Sequence, residues 1–318
     1  EIPELSSKAG AGISRVLDIA TESDGTIWAA ASVALLEIRR DHKVRIHRSP
    51  DRAVSVEVDA RGRLYVLGTQ NLYVRRGDRF LELPYAFGKG RSPSGSRWLV
   101  TDGADRLFVA TTSGVFWRAG LQAPELDPGA PWHRVASGDR RGDNVYAIAA
   151  LPNGDILVGT AGGLYRLAGG VLEPTTGDLA LSRPVYFLLR DQSGKLWAGT
   201  DDGVFVSEPG GFRQLSVRHG LAGRETNRGA GIVDSKGRVW IGTDQGLSIY
   251  REALDVRLST PPAVEIEGID VDGEHRTADE MLSLSASPKS LVFRARTISF
   301  SREEEVVCRY RLDGLNED

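Results

Sequence analysis

The chain of 318 residues has one cysteine, Cys308, so no intrachain disulfide can form. This leaves the redox compartment open, because a large β domain outside the cytoplasm needs no disulfide. No apolar run is long enough to span a bilayer, and no signal peptide is recognisable. Neither sign of charge dominates: 40 Lys and Arg face 43 Asp and Glu, with a net charge of −3 and a pI near 6.1. That balance argues against nucleic acid or an anionic membrane as a general partner. The five histidines (His42, His47, His133, His219, His275) are scattered and lack the close spacing of a zinc site. There is no G-x-S-x-G nucleophile elbow and no phosphate-binding P-loop. Asp24-Gly25 and Asp201-Asp202-Gly203 are not followed by a twelve-residue calcium-ligand pattern, and they read as solvated turns.

What the chain does have is a repeat. Residues 185–206, VYFLLRDQSGKLWAGTDDGVFV, read as three short apolar strands separated by two turns rich in Asp and Gly. Copies recur at 148–167 and 231–250, with weaker ones at 16–38, 54–74 and 98–118. Their first-turn landmarks are Gly25, Gly62, Asp105, Gly154, Gly194 and Gly237, spaced by 37, 43, 49, 40 and 43 residues. A single meander of this length cannot bury its own faces, so the copies must pack on one another. The period matches a four-stranded propeller blade. The expected fold is all-β: a β-propeller over 1–258, six-bladed by repeat count with seven possible, and a partial β-sandwich over 259–318.

The landmarks have physical roles. Glu22, Asp59, Asp102, Asp191 and Asp234 precede the turn landmark by three residues, where a carboxylate caps the turn amides. Leu151 breaks this pattern, but Asn153-Gly154 is itself a strong turn. The next strand carries Trp28, Tyr65, Phe108, Leu157, Trp197 or Trp240. Their fixed place in every copy favours packing between blades over a ligand platform. Thr111, Thr160, Thr200 and Thr243 each stand three residues before a Gly suited to positive φ. The sixth copy lacks a fourth strand, and the orphan apolar segment Ile2–Leu5 is expected to supply it and close the ring. From Ala263 the rhythm changes. VEIEGIDVDG, LVFRARTISF and VVCRYRLDG alternate apolar and polar residues as half-buried strands do.

The repeat D-x-x-G-x-Leu/Val-Trp-x-Gly-Thr-x-x-Gly-Val/Leu, clearest at 191–204 and 234–247, resembles the two-component regulator propeller repeat. The segments PPAVEIEGIDVDG, LVFRARTISFS and CRYRLDG resemble the first half of the three-Y sandwich that follows such propellers. The resemblance implies the periplasmic or extracellular sensor region of a histidine kinase or hybrid regulator, sensing a glycan or another small molecule. Six repeats depart from the seven blades common in that family, and the three-Y segment lacks its second half. The opening EIPELSS suggests an excised fragment.

Binding residues are expected on the loops that lead into the innermost strands, because these loops surround the channel mouth. Three of them, 137–146, 182–187 and 218–228, are unusually polar or aromatic. They offer Arg141, Asn144, Tyr146, Arg183, Tyr186, His219, Arg224, Glu225, Asn227 and Arg228. Guanidinium groups beside amides and aromatic rings suit sugars, uronates or carboxylates. No catalytic residue, metal ligand or cofactor is assigned. The first alternative is a propeller hydrolase of lactonase or phosphotriesterase type, with a channel calcium, or a lyase. The second is an interaction scaffold. The partners expected are a small-molecule or glycan ligand and a second copy through the C-terminal segment, with no nucleic acid and no membrane contact by this region.

Overall fold

A computed structural model describes residues 15–31, 34–47, 52–69, 71–83, 95–102, 105–123, 126–255, 263–277 and 289–297. The chain divides into two units, Glu1–Leu254 and Asp255–Asp318.

The described part of the first unit forms six antiparallel meanders. Blade one is β1 (Val16–Thr21), β2 (Ile27–Ala31), β3 (Leu35–Ile38) and β4 (Val44–His47). Blade two is β5 (Ala53–Val58), β6 (Leu64–Gly68), β7 (Leu72–Arg76) and β8 (Arg79–Leu83). Blade three is β9 (Trp98–Thr101), β10 (Leu107–Thr111), β11 (Gly114–Arg118) and β12 (His133–Val135). Blade four is β13 (Val145–Ala150), β14 (Ile156–Thr160), β15 (Leu164–Ala168) and β16 (Val171–Pro174). Blade five is β17 (Val185–Arg190), β18 (Leu196–Thr200), β19 (Gly203–Glu208) and β20 (Gly211–Leu215). Blade six has three described strands, β21 (Thr226–Val233), β22 (Val239–Thr243) and β23 (Gly246–Tyr250). The first strand of each blade contacts the first strand of the next, so β1, β5, β9, β13, β17 and β21 follow one another around an axis.

The repeat landmarks act as expected and do more. Asp191 accepts hydrogen bonds from the Lys195 amide (2.9 Å) and from Trp197 Nε1 (2.8 Å). Asp234 accepts from the Lys236 and Arg238 amides and from Trp240 Nε1 at 2.9 Å. Asp59 does the same with the Arg61 and Arg63 amides and the Tyr65 hydroxyl. One carboxylate thus closes the turn and fixes the aromatic side chain of the next strand. In blade one the acid is Glu22, whose carboxylate instead takes Arg75 of blade two at 2.8 Å, and Trp28 Nε1 is buried with no partner among the described residues. In blade four both partners are apolar: Leu151 packs in the cluster that holds Leu157. The second landmark pins the next hairpin. Thr200 Oγ1 donates to Gly203 O at 2.9 Å, and Gly203 has φ +85° with Leu215 O where a Cβ would stand.

The core lies between blades. Trp28, Tyr65, Phe108, Leu157 and Trp197 are buried, each in a cluster with apolar residues of the following blade. Trp197, for example, packs with Val239 and Ile241. Blade six differs: Trp240 is half-buried, and Ile232, Leu247 and Ile249 are exposed. Among the described residues, β21 and β1 share no contact comparable to those between successive inner strands. The expected closing strand, Ile2–Leu5, lies outside the described residues.

In the second unit, β24 (Val264–Val271) lies between β25 (Glu274–Thr277) and β26 (Leu291–Thr297). The register pairs Ile266 with Ala295, Ile269 with Phe293 and Val271 with Leu291, which gathers these apolar residues on one face and leaves Val292 beside Asp270 on the other. On the other face Asp270 binds Arg294 (2.7 Å) and His275 (2.7 Å), and Arg296 reaches Glu265 and Glu267 (3.1 Å each). Val264, Ile266 and Phe293 of the apolar face are exposed. The third expected strand, within 306–314, lies outside the described residues.

Candidate functional site at the channel mouth

Inner strands begin with an irregularity that sets up the site. In blade four Val145 pairs with Thr160 and Ala147 with Gly159, which leaves Tyr146 as an extra, unpaired residue. Blade five repeats this with Tyr186, between Val185–Thr200 and Phe187–Gly199. Leu17 and Val54 hold the same place in blades one and two. In blade three Trp98 pairs with Ala110 as Phe187 does with Gly199, so Arg97 stands in the place of Tyr186. Blade six is enlarged: Thr226 pairs with Thr243 and Gly231 with Ile241, leaving four residues, 227–230, opposite Gly242. A bulge bends its strand and re-aims the extra side chain. The equivalent positions are therefore apolar in blades one and two and polar or aromatic in blades three to six.

The polar four converge. The Arg97 guanidinium carbon lies 4.6 Å from the Tyr146 ring centroid, and that of Arg228 lies 4.5 Å from the same centroid. Tyr146 and Tyr186 meet at 5.4 Å between centroids, inclined by 58°. Asn144 Nδ2 donates to the Tyr146 hydroxyl at 3.2 Å, and Asn144 Oδ1 is buried without a partner among the described residues. Gly229 packs against the Trp98 ring, where a Cβ would lie 2.6 Å from a ring carbon, so blade six reaches blade three. Arg97 Nη1 donates to Val145 O at 3.1 Å. Neither Arg97 nor Arg228 has a carboxylate partner among the described residues. Burial, and then the charge of Arg228, lower the Arg97 pKa. Burial and then the Glu225 carboxylate raise that of Tyr186.

Of the other residues singled out from the sequence, Glu225 reaches this cluster through the Tyr186 hydroxyl, and the rest have the partners that follow. Arg183 of blade five binds Asp201 at 3.0 Å and Asp202 at 3.2 Å, and Arg224 binds Asp202 at 2.7 Å. Asp202 thus ties the segments preceding blades five and six together, and the hydrogen bond from Arg224 is the largest cause of its lowered pKa. Glu225 is anchored by its backbone to Asp244. Asn227 Nδ2 donates to Thr243 O at 3.2 Å. His219 Nδ1 accepts from the Ser216 amide at 3.0 Å, as part of a short helical turn. Arg141 donates to Ala161 O at 3.0 Å. Sequence reasoning missed Arg97. The signal was available, since Arg97 stands immediately before an inner strand, but the Gly, Ser, Pro and Arg-rich segment 84–97 reads as a connection.

Blades one to three carry two buried carboxyls that are bonded between blades. Asp18 of β1 accepts from Ser55 Oγ (2.6 Å) and the Val56 amide (2.9 Å) of blade two. Glu57 of β5 accepts from the amide and hydroxyl of Thr101 in blade three, both at 3.0 Å. Burial pushes Asp18 up to about 6 and Glu57 up to about 7. These carboxyls join blades one to three. Among the described residues, no three His, Cys, Asp or Glu side chains are grouped to hold a metal ion.

No protein-family model matches the chain, and no curated protein matches it either. Solved structures do. The extracellular domain assigned to a hybrid two component system of B. thetaiotaomicron matches with a TM-score of 0.51 at 14% identity, over 90% of this chain and 44% of that one. Virginiamycin B lyase from Staphylococcus aureus gives 0.55 at 9% identity, over 76% of this chain and 85% of that one. The first unit is a β-propeller. A gluconolactonase from Xanthomonas campestris extends the likeness, at 0.50 and 15% identity over 74% of this chain and 86% of that one. The chain spans less than half the length of the extracellular sensor domains it matches. At these identities the propeller likeness is one of fold.

Proposed function

We propose that this chain is the extracytoplasmic ligand-sensing propeller of a two-component signalling receptor, and that its ligand is a small polar or anionic molecule bound at the channel mouth. The observation that carries this reading is the convergence of Arg97, Tyr146, Tyr186 and Arg228 from four successive blades. Groups brought together from separate repeats, at bulged positions, form a built recognition surface. The repeat motif supports the signalling context, and the likeness to an extracellular sensor domain fits it. The three-strand sheet of the second unit, with one apolar face exposed, suits pairing with a second copy of the chain, so ligand binding would act on a dimer.

The chemistry at the mouth is that of binding. The tyrosines and guanidiniums donate hydrogen bonds and present ring faces, while the hydroxyl–base pairs near them, Ser216 with His219 at 3.1 Å and Tyr186 with Glu225, stand apart from the Arg97–Arg228 pair that would hold the ligand. The test is a thermal-shift screen of sugars and small acids, followed by calorimetry on wild type and Arg228→Ala. Loss of a charged contact should weaken binding at least tenfold, as for truncation of a charged hydrogen-bonding partner. Equal affinities would overturn the assignment. Turnover in a lactone, ester and phosphotriester panel would favour an enzyme.

A further inference from the structure

We infer that the channel mouth selects its ligand through one oxyanion, the carboxylate of a hydroxylated acid such as a uronate, and discriminates against the neutral sugar of the same shape. This rests on the reading that the mouth is a ligand site, and it adds what the ligand must carry.

Charge is the first reason. Arginines on this propeller are commonly neutralised: Arg39 by Glu37, Arg63 by Asp59, Arg106 by Asp102, Arg213 by Glu208 and Arg238 by Asp234. At the mouth itself Arg183 and Arg224 share Asp201 and Asp202. Arg97 and Arg228 are not neutralised in this way, and neither are Arg118, Arg134, Arg141 and Arg190, which donate to backbone carbonyls instead; what sets Arg97 and Arg228 apart is that they meet. They hold two positive charges against one tyrosine ring, with no carboxylate to balance them among the described residues. Each charge disfavours the other, and the fold holds them together nonetheless. An anion placed between them would relieve that repulsion and gain two charge-assisted sets of hydrogen bonds.

Geometry points the same way. A guanidinium stacked on a ring keeps its N–H groups in its own plane, at the ring's edge, free to donate. Arg97 commits Nη1 to Val145 O, which orients the rest of its fork. Arg228 is delivered by the four-residue bulge of blade six, where other inner strands have a single extra residue. That additional backbone has a purpose if it carries Arg228 across to the Arg97–Tyr146 pair. Glu225 stands on the Tyr186 side and interacts with its hydroxyl. A carboxylate there repels a second anionic group and accepts from a hydroxyl. The arrangement therefore reads one end of the ligand as negative and the other as hydroxylated.

The experiment uses the full chain and four probes: sodium D-glucuronate, its methyl ester, D-glucose and sodium sulfate, each followed by calorimetry at two ionic strengths. Glucuronate should bind, with its affinity falling as salt rises. The ester and glucose should bind at least tenfold more weakly, and sulfate should compete with glucuronate. Arg228→Ala and Arg97→Ala should each weaken glucuronate at least tenfold, as for loss of a charged hydrogen-bonded contact. Arg228 is exposed, so its variant keeps the fold and settles the matter even if Arg97→Ala unfolds. Glucose binding as tightly as glucuronate, lost in Tyr186→Ala but unchanged in Arg228→Ala, would overturn the oxyanion inference and leave the ligand site standing. Sulfate binding without glucuronate would mean an inorganic anion site and would overturn the acidic-sugar assignment. No binding of glucuronate or sulfate at millimolar concentration would overturn the inference outright.

Discussion

Asp191→Ala should be among the most damaging single changes on the surface of blade five. The carboxylate accepts from the Ser193 hydroxyl at 2.7 Å, the Lys195 amide at 2.9 Å and Trp197 Nε1 at 2.8 Å. Its removal leaves the indole N–H buried without an acceptor, because Trp197 is fully buried against blade six. An orphaned buried donor costs about 1–3 kcal/mol. The turn amide and hydroxyl can turn to water, so their loss adds roughly 1–2 kcal/mol. The expected total is about 3 kcal/mol, which lowers the melting temperature by about 6–12 °C for a unit of this size. Burial raises the Asp191 pKa, but the hydrogen bonds from Trp197, Ser193 and Lys195 outweigh it and the net shift is downward. The stabilisation is therefore present above the ordinary carboxylate range and is lost as acid protonates the group. Urea melts of wild type, Asp191→Ala, Trp197→Phe and the double variant isolate the pair. Removal of the donor and the acceptor together leaves no orphan, so the two changes should be less than additive, with a coupling of about 1–2 kcal/mol. Blade four already embodies the double change, with Leu151 and Leu157 in apolar contact. Strict additivity would refute the idea that this carboxylate anchors the indole.

Glu57 has its pKa raised to about 7, so the native state holds that proton more tightly than the unfolded chain. Stability from this group is full below the unfolded value near 4.5 and declines as pH rises to about 7; Glu57→Gln should remove the decline and gain about 1–3 kcal/mol at pH 8 in urea melts, and an unchanged pH slope would contradict the burial. Trp197→Ala should cost about 3–5 kcal/mol, whereas Trp240→Ala should cost less than half as much because its ring is half-buried; equal costs by chemical denaturation would show that the far face of blade six is covered. Gly203→Ala should destabilise more than Gly154→Ala. Both have positive φ, but a Cβ at Gly203 would meet Leu215 O, and one at Gly154 meets nothing within 4 Å. Matching melting temperatures for the two variants would remove the steric reason for the second Gly.

Much of the fold was legible because the blade repeat is local. Asp191, Gly194, Trp197, Thr200 and Gly203 act within one hairpin pair, so their spacing alone reports their geometry. The packing of Trp28, Tyr65, Phe108, Leu157 and Trp197 between blades came from the same periodicity. The half-exposure of Trp240 did not, because it depends on which element packs on the far face of blade six. The candidate site was legible only in part. Tyr146, Tyr186 and Arg228 could be placed at the starts of inner strands. Which of the nearby arginines are neutralised depends on contacts between blades: Asp201 and Asp202 engage Arg183 and Arg224, while Arg97 and Arg228 have no carboxylate among the described residues. The meeting of Arg97 and Arg228 on Tyr146 joins residues more than a hundred positions apart through bulges that composition does not reveal.

The most direct test is a crystal structure of the chain with the tightest ligand returned by the thermal-shift screen. That ligand should sit at the channel mouth, with an anionic group bridging the guanidiniums of Arg97 and Arg228 beside Tyr146 and Tyr186. A ligand seated on the outer strands, with those four side chains in their present arrangement, would contradict the assignment of the mouth as the sensing site.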